Sequence, residues 1–471
     1  MTSITLSKNK KEPHNMSLGR RLFIVDPSLK DVRGHHFALT RSITQSAKQN
    51  GLNVYWFAAA DASADLREHT SLIPLFGQSM YSAYMLGQQK NSSTISSRLN
   101  WLKGRLIART KDASPRRPAT EGEAPAAPDL KDSILKALES AFEEFNIGPS
   151  DRLLFHTADG ATYEALAELV MGRDVSDLPR MHVCTPYDPV GIMPNRASAE
   201  SVQTAIDKLR AGKLLERRVF LYGENPYLAD HLTSIWSCPV RSLDLPVAPI
   251  SEHDKARAEE FRRNQLHAED DRFLIASLGA ARIEKGFHLI PDIIRRVFEF
   301  AQQGEFADVA RSKIKFVLHA SPQIVGRHPV ISNAIEKLQV YSEDQVQLLL
   351  EPLSDADYNS LTLASDAVLM PYDQEAYRVR GSGVVSEAIV ARKFIIAKSG
   401  SYPSEMALWQ GGAIGETPQL MAKSLLTIIK NRWQRIDRVK AASIEYMESN
   451  SISRYFEKVV DAERDRWDEN T

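Results

Sequence analysis

Two successive series of short apolar runs, each alternating with helical stretches, constrain this chain more than any other feature. The first series is Arg21-Leu-Phe-Ile-Val25, Asn53-Val-Tyr-Trp-Phe-Ala58, Arg152-Leu-Leu-Phe-His156, Arg180-Met-His-Val-Cys184 and Arg218-Val-Phe-Leu-Tyr222. The second is Arg272-Phe-Leu-Ile-Ala-Ser-Leu278, Lys313-Ile-Lys-Phe-Val-Leu318, Val346-Gln-Leu-Leu-Leu350, Asp366-Ala-Val-Leu-Met370 and Lys393-Phe-Ile-Ile-Ala397, with a short Gly412-Ala-Ile414. Apolar runs of this length, separated by helices, fit strands of a parallel sheet covered on both faces. Leu245-Pro-Val-Ala-Pro249, between the two series, reads as a linker, and 471 residues exceed what one ordinary core holds. The predicted fold is therefore α/β, with two doubly wound Rossmann-like domains facing a cleft. Their bounds are 19–247 and 248–440, preceded by a disordered stretch at 1–18. The charged helical stretch 441–471 is expected to cross back onto the first domain.

Composition narrows the function classes. A net charge of −1 gives no global attraction to nucleic acid or to a membrane, so any electrostatic preference is local. Cys184 and Cys238 lack CxxC spacing and read as buried reduced thiols. The first residues carry no apolar core of a signal peptide and no run reaches membrane-span length, so a cytoplasmic location is expected. Residues 88–132 interrupt the alternation and read as a flexible excursion that ends Pro/Ala-rich. Within it, 97–111 is basic and amphipathic, with Leu99, Leu102 and Leu106 at helical spacing among arginines and lysines. That piece fits either a helix resting on anionic lipid, at the inner face of a membrane, or one packed on its own domain. Ser354 with Asp357 suits a helix cap and its third helical position, a structural pair.

The chemistry concentrates in the second series. Gly279-Ala-Ala-Arg-Ile-Glu-Lys-Gly286 puts Arg282 and Lys285 in a strand-to-helix turn. Cations near a helix start are unfavourable unless an anion is present, so a diphosphate is the indicated partner. Gly381, Ser382 and Gly383 open a second helix, whose free N–H groups and dipole also favour an anion. Glu387 lies one turn inside that helix among apolar residues, placed to accept hydrogen bonds from a ribose diol. Cations, an N-terminal nest and a carboxylate together describe a nucleotide-sugar site. In the first series, Gly34 follows the first strand, where the backbone can approach a ligand. His156 ends a strand, and Asp159, Tyr187 and Asp188 lie on loops at strand carboxyl ends, where open parallel sheets bind ligands. The last three are acceptor candidates. His35 and His36 are adjacent, no third ligand stands out beside them, and no metal site is expected.

These motifs resemble the GT-B fold and, more narrowly, glycosyltransferase family 4, whose members transfer a sugar from a nucleotide donor with retention. The resemblance rests on Gly279–Gly286, on Ser365-Asp-Ala-Val-Leu-Met-Pro-Tyr372, and on Arg380-Gly-Ser-Gly-Val-Val-Ser-Glu-Ala388. It implies Arg282, Lys285 and His156 as catalytic groups, with His156 either directed at the donor sugar or structural. Gly34, Gly381, Ser382, Gly383 and Glu387 would bind the donor, and neither a cofactor nor an obligatory metal is needed. The implied partners are a nucleoside-diphosphate sugar and a glycan or lipid-linked acceptor, as in polysaccharide or glycolipid assembly. One departure stands out. The family carries two glutamates separated by seven residues, and the earlier position is Val379 here. A catalytically silent relative with a binding or regulatory role and a nucleotide-sugar epimerase are the alternatives. A dinucleotide oxidoreductase is disfavoured because neither first strand is followed by GxGxxG.

Overall fold

A computed structural model describes residues 21–32, 34–77, 130–188, 199–269, 271–320 and 328–464. Residues 1–18 and the basic piece 97–111 lie outside the described residues. So does the excursion 88–132, except that its last three residues already belong to a helix.

The strands are β1 (Arg21–Val25), β2 (Asn53–Ala59), β3 (Leu72–Phe76), β4 (Arg152–Phe155), β5 (Arg180–Thr185), β6 (Val219–Gly223), β7 (Arg241–Ser242), β8 (Phe273–Ser277), β9 (Ile314–His319), β10 (Val346–Leu349), β11 (Ala367–Met370), β12 (Phe394–Lys398) and β13 (Ala413–Gly415). The helices of the first domain are α1 (Gly34–Gln49), α2 (Ala64–Arg67), α3 (Leu130–Glu144), α4 (Gly160–Val170), α5 (Ala199–Ala211) and α6 (Pro226–Trp236). The second domain and the C-terminus supply α7 (Glu252–Asn264), α8 (Ile290–Phe300), α9 (Pro329–Leu338), α10 (Asp355–Ala364), α11 (Gly383–Val390), α12 (Tyr402–Gln410), α13 (Pro418–Ser449) and α14 (Ile452–Arg464).

Two parallel sheets result, ordered β3-β2-β1-β4-β5-β6-β7 and β10-β9-β8-β11-β12-β13. The order reverses beside the first strand of each domain, which opens a crevice at the carboxyl ends of β1 and β4 in one sheet and of β8 and β11 in the other. Local sequence explains the elements well. In α8, Ile290, Ile293, Ile294, Val297 and Phe298 are buried, a 3-4 spacing that puts all five on one face. Ser354 caps α10 by accepting from Asp357 N at 3.1 Å, so that pair is structural, as its spacing indicated. Both cysteines are buried and free.

Two strands escape the sequence reading. β3 contains Pro74 and β7 has two residues; both are edge strands, where a proline or a short run is tolerated because one side needs no ladder partner. The C-terminal expectation holds in outline, with a break that periodicity did not reveal. Helix α13 is interrupted at Asn431, where φ is −111° and ψ 17°. Its later part stays with the second domain, where Tyr446 OH and Ser386 Oγ lie 2.8 Å apart and brace α11. Helix α14 alone returns to the first domain. Its Tyr455, Phe456 and Val459 are buried in the same cluster as Leu22, Ile24, Ile43 and Leu154. Among the described residues, no helix is long and apolar enough to cross a membrane.

Candidate active site

The carboxyl ends of the two sheets meet across one cleft. Asn225, just after β6, donates from Nδ2 to the Val379 carbonyl at 3.0 Å. Tyr227 meets Tyr402 edge-on at 5.7 Å between ring centroids. The Arg380 guanidinium lies 5.8 Å from the Tyr187 ring of the first domain and 5.1 Å from the Tyr377 ring of the second. The loop leading into α11 is therefore held against the end of β6.

The second-domain wall carries the charges. After β8, Gly279 adopts φ +90°, and a Cβ there would lie 2.6 Å from Lys285 Nζ. The left-handed backbone conformation favours glycine here, and its bare Cα leaves room for the lysine end folded back over it. Gly286 has φ +69°, and a side chain there would collide with the Pro371 carbonyl oxygen, so both ends of the turn depend on glycine. Burial, followed by the neighbouring Arg282 charge, pushes the Lys285 ammonium down to about 7, while Glu387 acts the other way. Arg282 pairs with Glu284 at 3.2 Å and reaches Tyr377 OH at 3.5 Å. Its Nε is buried without a hydrogen-bond partner among the described residues. Two crowded cations, one of them poised to lose its proton, gain the most from an arriving polyanion.

Ser382 is the N-cap of α11, but its side chain makes no capping hydrogen bond. The first N–H groups of the helix are thus not closed off by a cap, and the positive end of the dipole is open to an anion. Glu387 accepts from Tyr358 OH at 3.0 Å. It is solvent-accessible, yet the surrounding protein displaces enough of its hydration to raise its carboxyl above the usual range, against the pull of Tyr358 and Lys285. Arg282, Lys285, Gly381, Ser382, Gly383 and Glu387 thus sit where the sequence reading placed them, in the turn after β8 and the opening of α11.

The first-domain wall is built differently. Asp26, at the end of β1, is fully buried and accepts from Ser28 N at 2.9 Å. Its Oδ2 lies 2.8 Å from His36 Nδ1 and 3.4 Å from His156 Nε2, the latter also 3.2 Å from Thr40 Oγ1. Burial alone would raise the Asp26 carboxyl; the charges and hydrogen bond of His36, with His156, outweigh it and hold the group well below the usual carboxylate range. Burial works against charge on His36 too, but Asp26 outweighs it and raises His36. Burial wins at His156, bringing it down to about 4, so that histidine is neutral at neutral pH. These three are also the described side chains whose atoms could converge on one metal ion, lying within 4.8 Å of one another.

The remaining sequence candidates scatter. Gly34 opens α1. Asp159 is fully buried and caps α4, accepting from Thr162 N at 3.0 Å and from the Thr162 hydroxyl at 2.9 Å. Asp188 lies 3.0 Å from His231 Nε2 on α6, and Tyr187 faces Arg380. Three cleft residues went unnoticed in the sequence: Asp26, Glu224 and Tyr358. The first two stand immediately after an apolar strand, the same signal that singled out His156. A cavity of about 520 Å³ lined by Arg262, Asp366 and Lys393 lies at the amino ends of β11 and β12, opposite the cleft.

No protein-family model matches the chain, and no curated protein matches its sequence. Solved structures do match at the level of the fold. The N-terminal domain of Candida albicans trehalose-6-phosphate phosphatase superposes with a TM-score of 0.64 at 10% identity, covering 96% of this chain and 98% of that one. An α,α-trehalose-phosphate synthase from Burkholderia xenovorans, in complex with glucose-6-phosphate, gives 0.57 at 11% identity, covering 95% and 100%. Anabaena HepE, in complex with UDP and glucose, gives 0.56 at 13%, covering 94% and 98%. The two-domain architecture of this chain is the GT-B fold.

Proposed function

We propose that this chain transfers a sugar from a nucleoside-diphosphate sugar to a carbohydrate or lipid-linked acceptor. The observation that carries the reading is the second-domain wall, where Arg282, Lys285, the open N-terminus of α11 and Glu387 surround one end of the cleft. Glu387 and Tyr358 would take the ribose, and the diphosphate would lie between the two cations and the helix start. As the bond from the anomeric carbon to the phosphate oxygen breaks, negative charge grows on that oxygen, where fixed cations stabilise it most. The sugar, now oxocarbenium-like, is attacked by an acceptor hydroxyl on the face the donor leaves, and the departing phosphate accepts the hydroxyl proton. Same-face attack, and with it retention, is taken from the resemblance to the retaining family. Protein groups meet the diphosphate charge, so no divalent cation is required. His156, neutral and at the first-domain wall, would accept or donate one hydrogen bond to the donor sugar. The same fold in structures solved with UDP and glucose, and with glucose-6-phosphate, supports both a donor and an acceptor side.

The test is release of nucleoside diphosphate from UDP-, GDP-, ADP- and dTDP-sugars, with and without glycan and lipid-linked acceptors, in the presence of EDTA. Acceptor-dependent release that survives EDTA supports the reading. Binding without turnover under every acceptor would favour a second one, a nucleotide-sugar binder without transfer. Val379 favours that alternative, since it leaves the position eight residues before Glu387 without a carboxylate.

A further inference from the structure

Glu224 is a cleft carboxylate that the mechanism above does not use and that, unlike Asp26, no histidine holds among the described residues. Glu224 follows β6 at its carboxyl end, half-buried, with its backbone N–H donating to the Thr185 carbonyl at 3.1 Å. Its side chain crosses toward the other domain. A Cβ on Gly381 would lie 3.2 Å from Glu224 Oε1. The absence of a side chain at 381 therefore lets a first-domain carboxylate reach the opening of α11. Next to it, Asn225 holds the Val379 carbonyl and fixes the spacing of the two walls. Arg380 and His36 act on Glu224 from either side as cations, and Asp244 acts as an anion. Among the described residues the carboxylate has no hydrogen-bond or ion-pair partner. The group is half-buried and set against the loop that opens α11, and its oxygens are accessible to hydroxyl donors of a ligand in the cleft.

We propose that Glu224 binds hydroxyls of the transferred sugar, supplying from the first domain the carboxylate that Val379 does not provide in the second. The proposal rests on the nucleotide-sugar reading. A carboxylate offers two oxygens to a vicinal diol, and here it lies against the loop that opens α11. Burial supports the assignment by pushing the free group up to about 7, since hydroxyl donors restore the hydration it has lost. Contact with the sugar would then also require the two domains to be in register, because the donor would be held by one wall and its sugar by the other.

Calorimetric titration of the full chain tests this with paired probes, UDP-glucose against UDP and GDP-mannose against GDP. For whichever pair the wild type binds, Glu224→Gln and Glu224→Ala are expected to weaken the sugar nucleotide about tenfold while leaving the free diphosphate within about twofold. Glu224→Asp is expected to show a smaller sugar-dependent loss. Equal affinities for the sugar nucleotide in wild type and Glu224→Gln would overturn the assignment and leave the nucleotide-sugar reading standing. So would an equal loss for both members of a pair, which would mean that Glu224 shapes the loop rather than contacts sugar. A wild type that binds no member of these pairs, nor of ADP-glucose against ADP and dTDP-glucose against dTDP, would bring down both readings.

Discussion

The two walls of the cleft solve the problem of charge in opposite ways. On the first-domain wall, Asp26, His36 and His156 hold one another through short contacts and are closed off by Ser28 and Thr40. On the second-domain wall, Lys285 and Arg282 crowd each other, the α11 N-terminus lacks a side-chain cap, and Glu387 takes one hydrogen bond from Tyr358 and the pull of the Lys285 charge. The Asp26 carboxylate is answered inside the protein, with His156 Nδ1 left buried and without a partner among the described residues, whereas the charges of the other wall crowd one another and await an anion. On the proposed reading a donor docks on the second domain, with the first domain facing its sugar.

The sharpest way to break this contrast is Arg282→Ala. It removes charge from the incomplete wall, and turnover is expected to fall by about a hundredfold to a thousandfold with little change in melting temperature. An equal loss of stability would mean that Arg282 belongs to the self-satisfied class. The converse test is Asp26→Asn, expected to cost about 3 kcal/mol in denaturant unfolding because it breaks a buried charge pair.

The pH dependence of that stability can be read from signs. Asp26 is depressed, so its contribution is present above the ordinary carboxylate range and is lost as pH falls. His36 is raised, so its contribution is full below the ordinary histidine range and is lost as pH climbs through the folded value. His156, brought down to about 4, is charged more readily when unfolded and costs stability progressively below the ordinary histidine value. The wild type is therefore expected to be most stable near neutrality, with an acid limb that Asp26→Asn flattens, measured as unfolding midpoints from pH 4 to 8.

Smaller effects sharpen the ligand side. Glu387→Gln is expected to weaken a nucleoside diphosphate about tenfold and inorganic pyrophosphate hardly at all, since only the former carries a ribose. Lys285 gives the smallest signal. With the free ammonium at about 7, the diphosphate raises its pKa on binding. Affinity is thus expected to drop about fivefold between pH 7 and 8, and Lys285→Arg to abolish that slope. A flat profile in the wild type would mean that the lysine does not face the diphosphate.

The sequence exposed the second wall more fully than the first for a physical reason. Arg282, Lys285, Gly381 to Gly383 and Glu387 lie on two contiguous stretches whose chemistry depends on local geometry, a glycine turn and a helix start. The first wall is assembled from the ends of β1, β4 and β6, so Asp26, His156 and Glu224 become neighbours of the site only once the strand order is known. His36 is visible beside His35, but its partner Asp26, ten residues earlier, reads as a loop residue until the fold brings the two together. The same limit applies to architecture. Buried strands with continuous apolar runs were legible, whereas β3, with its edge proline, and the break in α13 at Asn431 depend on tertiary surroundings.

The account stands most directly on calorimetric titration of the full chain with UDP, GDP, ADP and dTDP, repeated on Arg282→Ala and Glu387→Gln. It predicts that one base class binds, that Arg282→Ala abolishes the binding, and that Glu387→Gln weakens it. Binding of none of the four, or binding that neither substitution alters, would contradict a donor site on the second-domain wall.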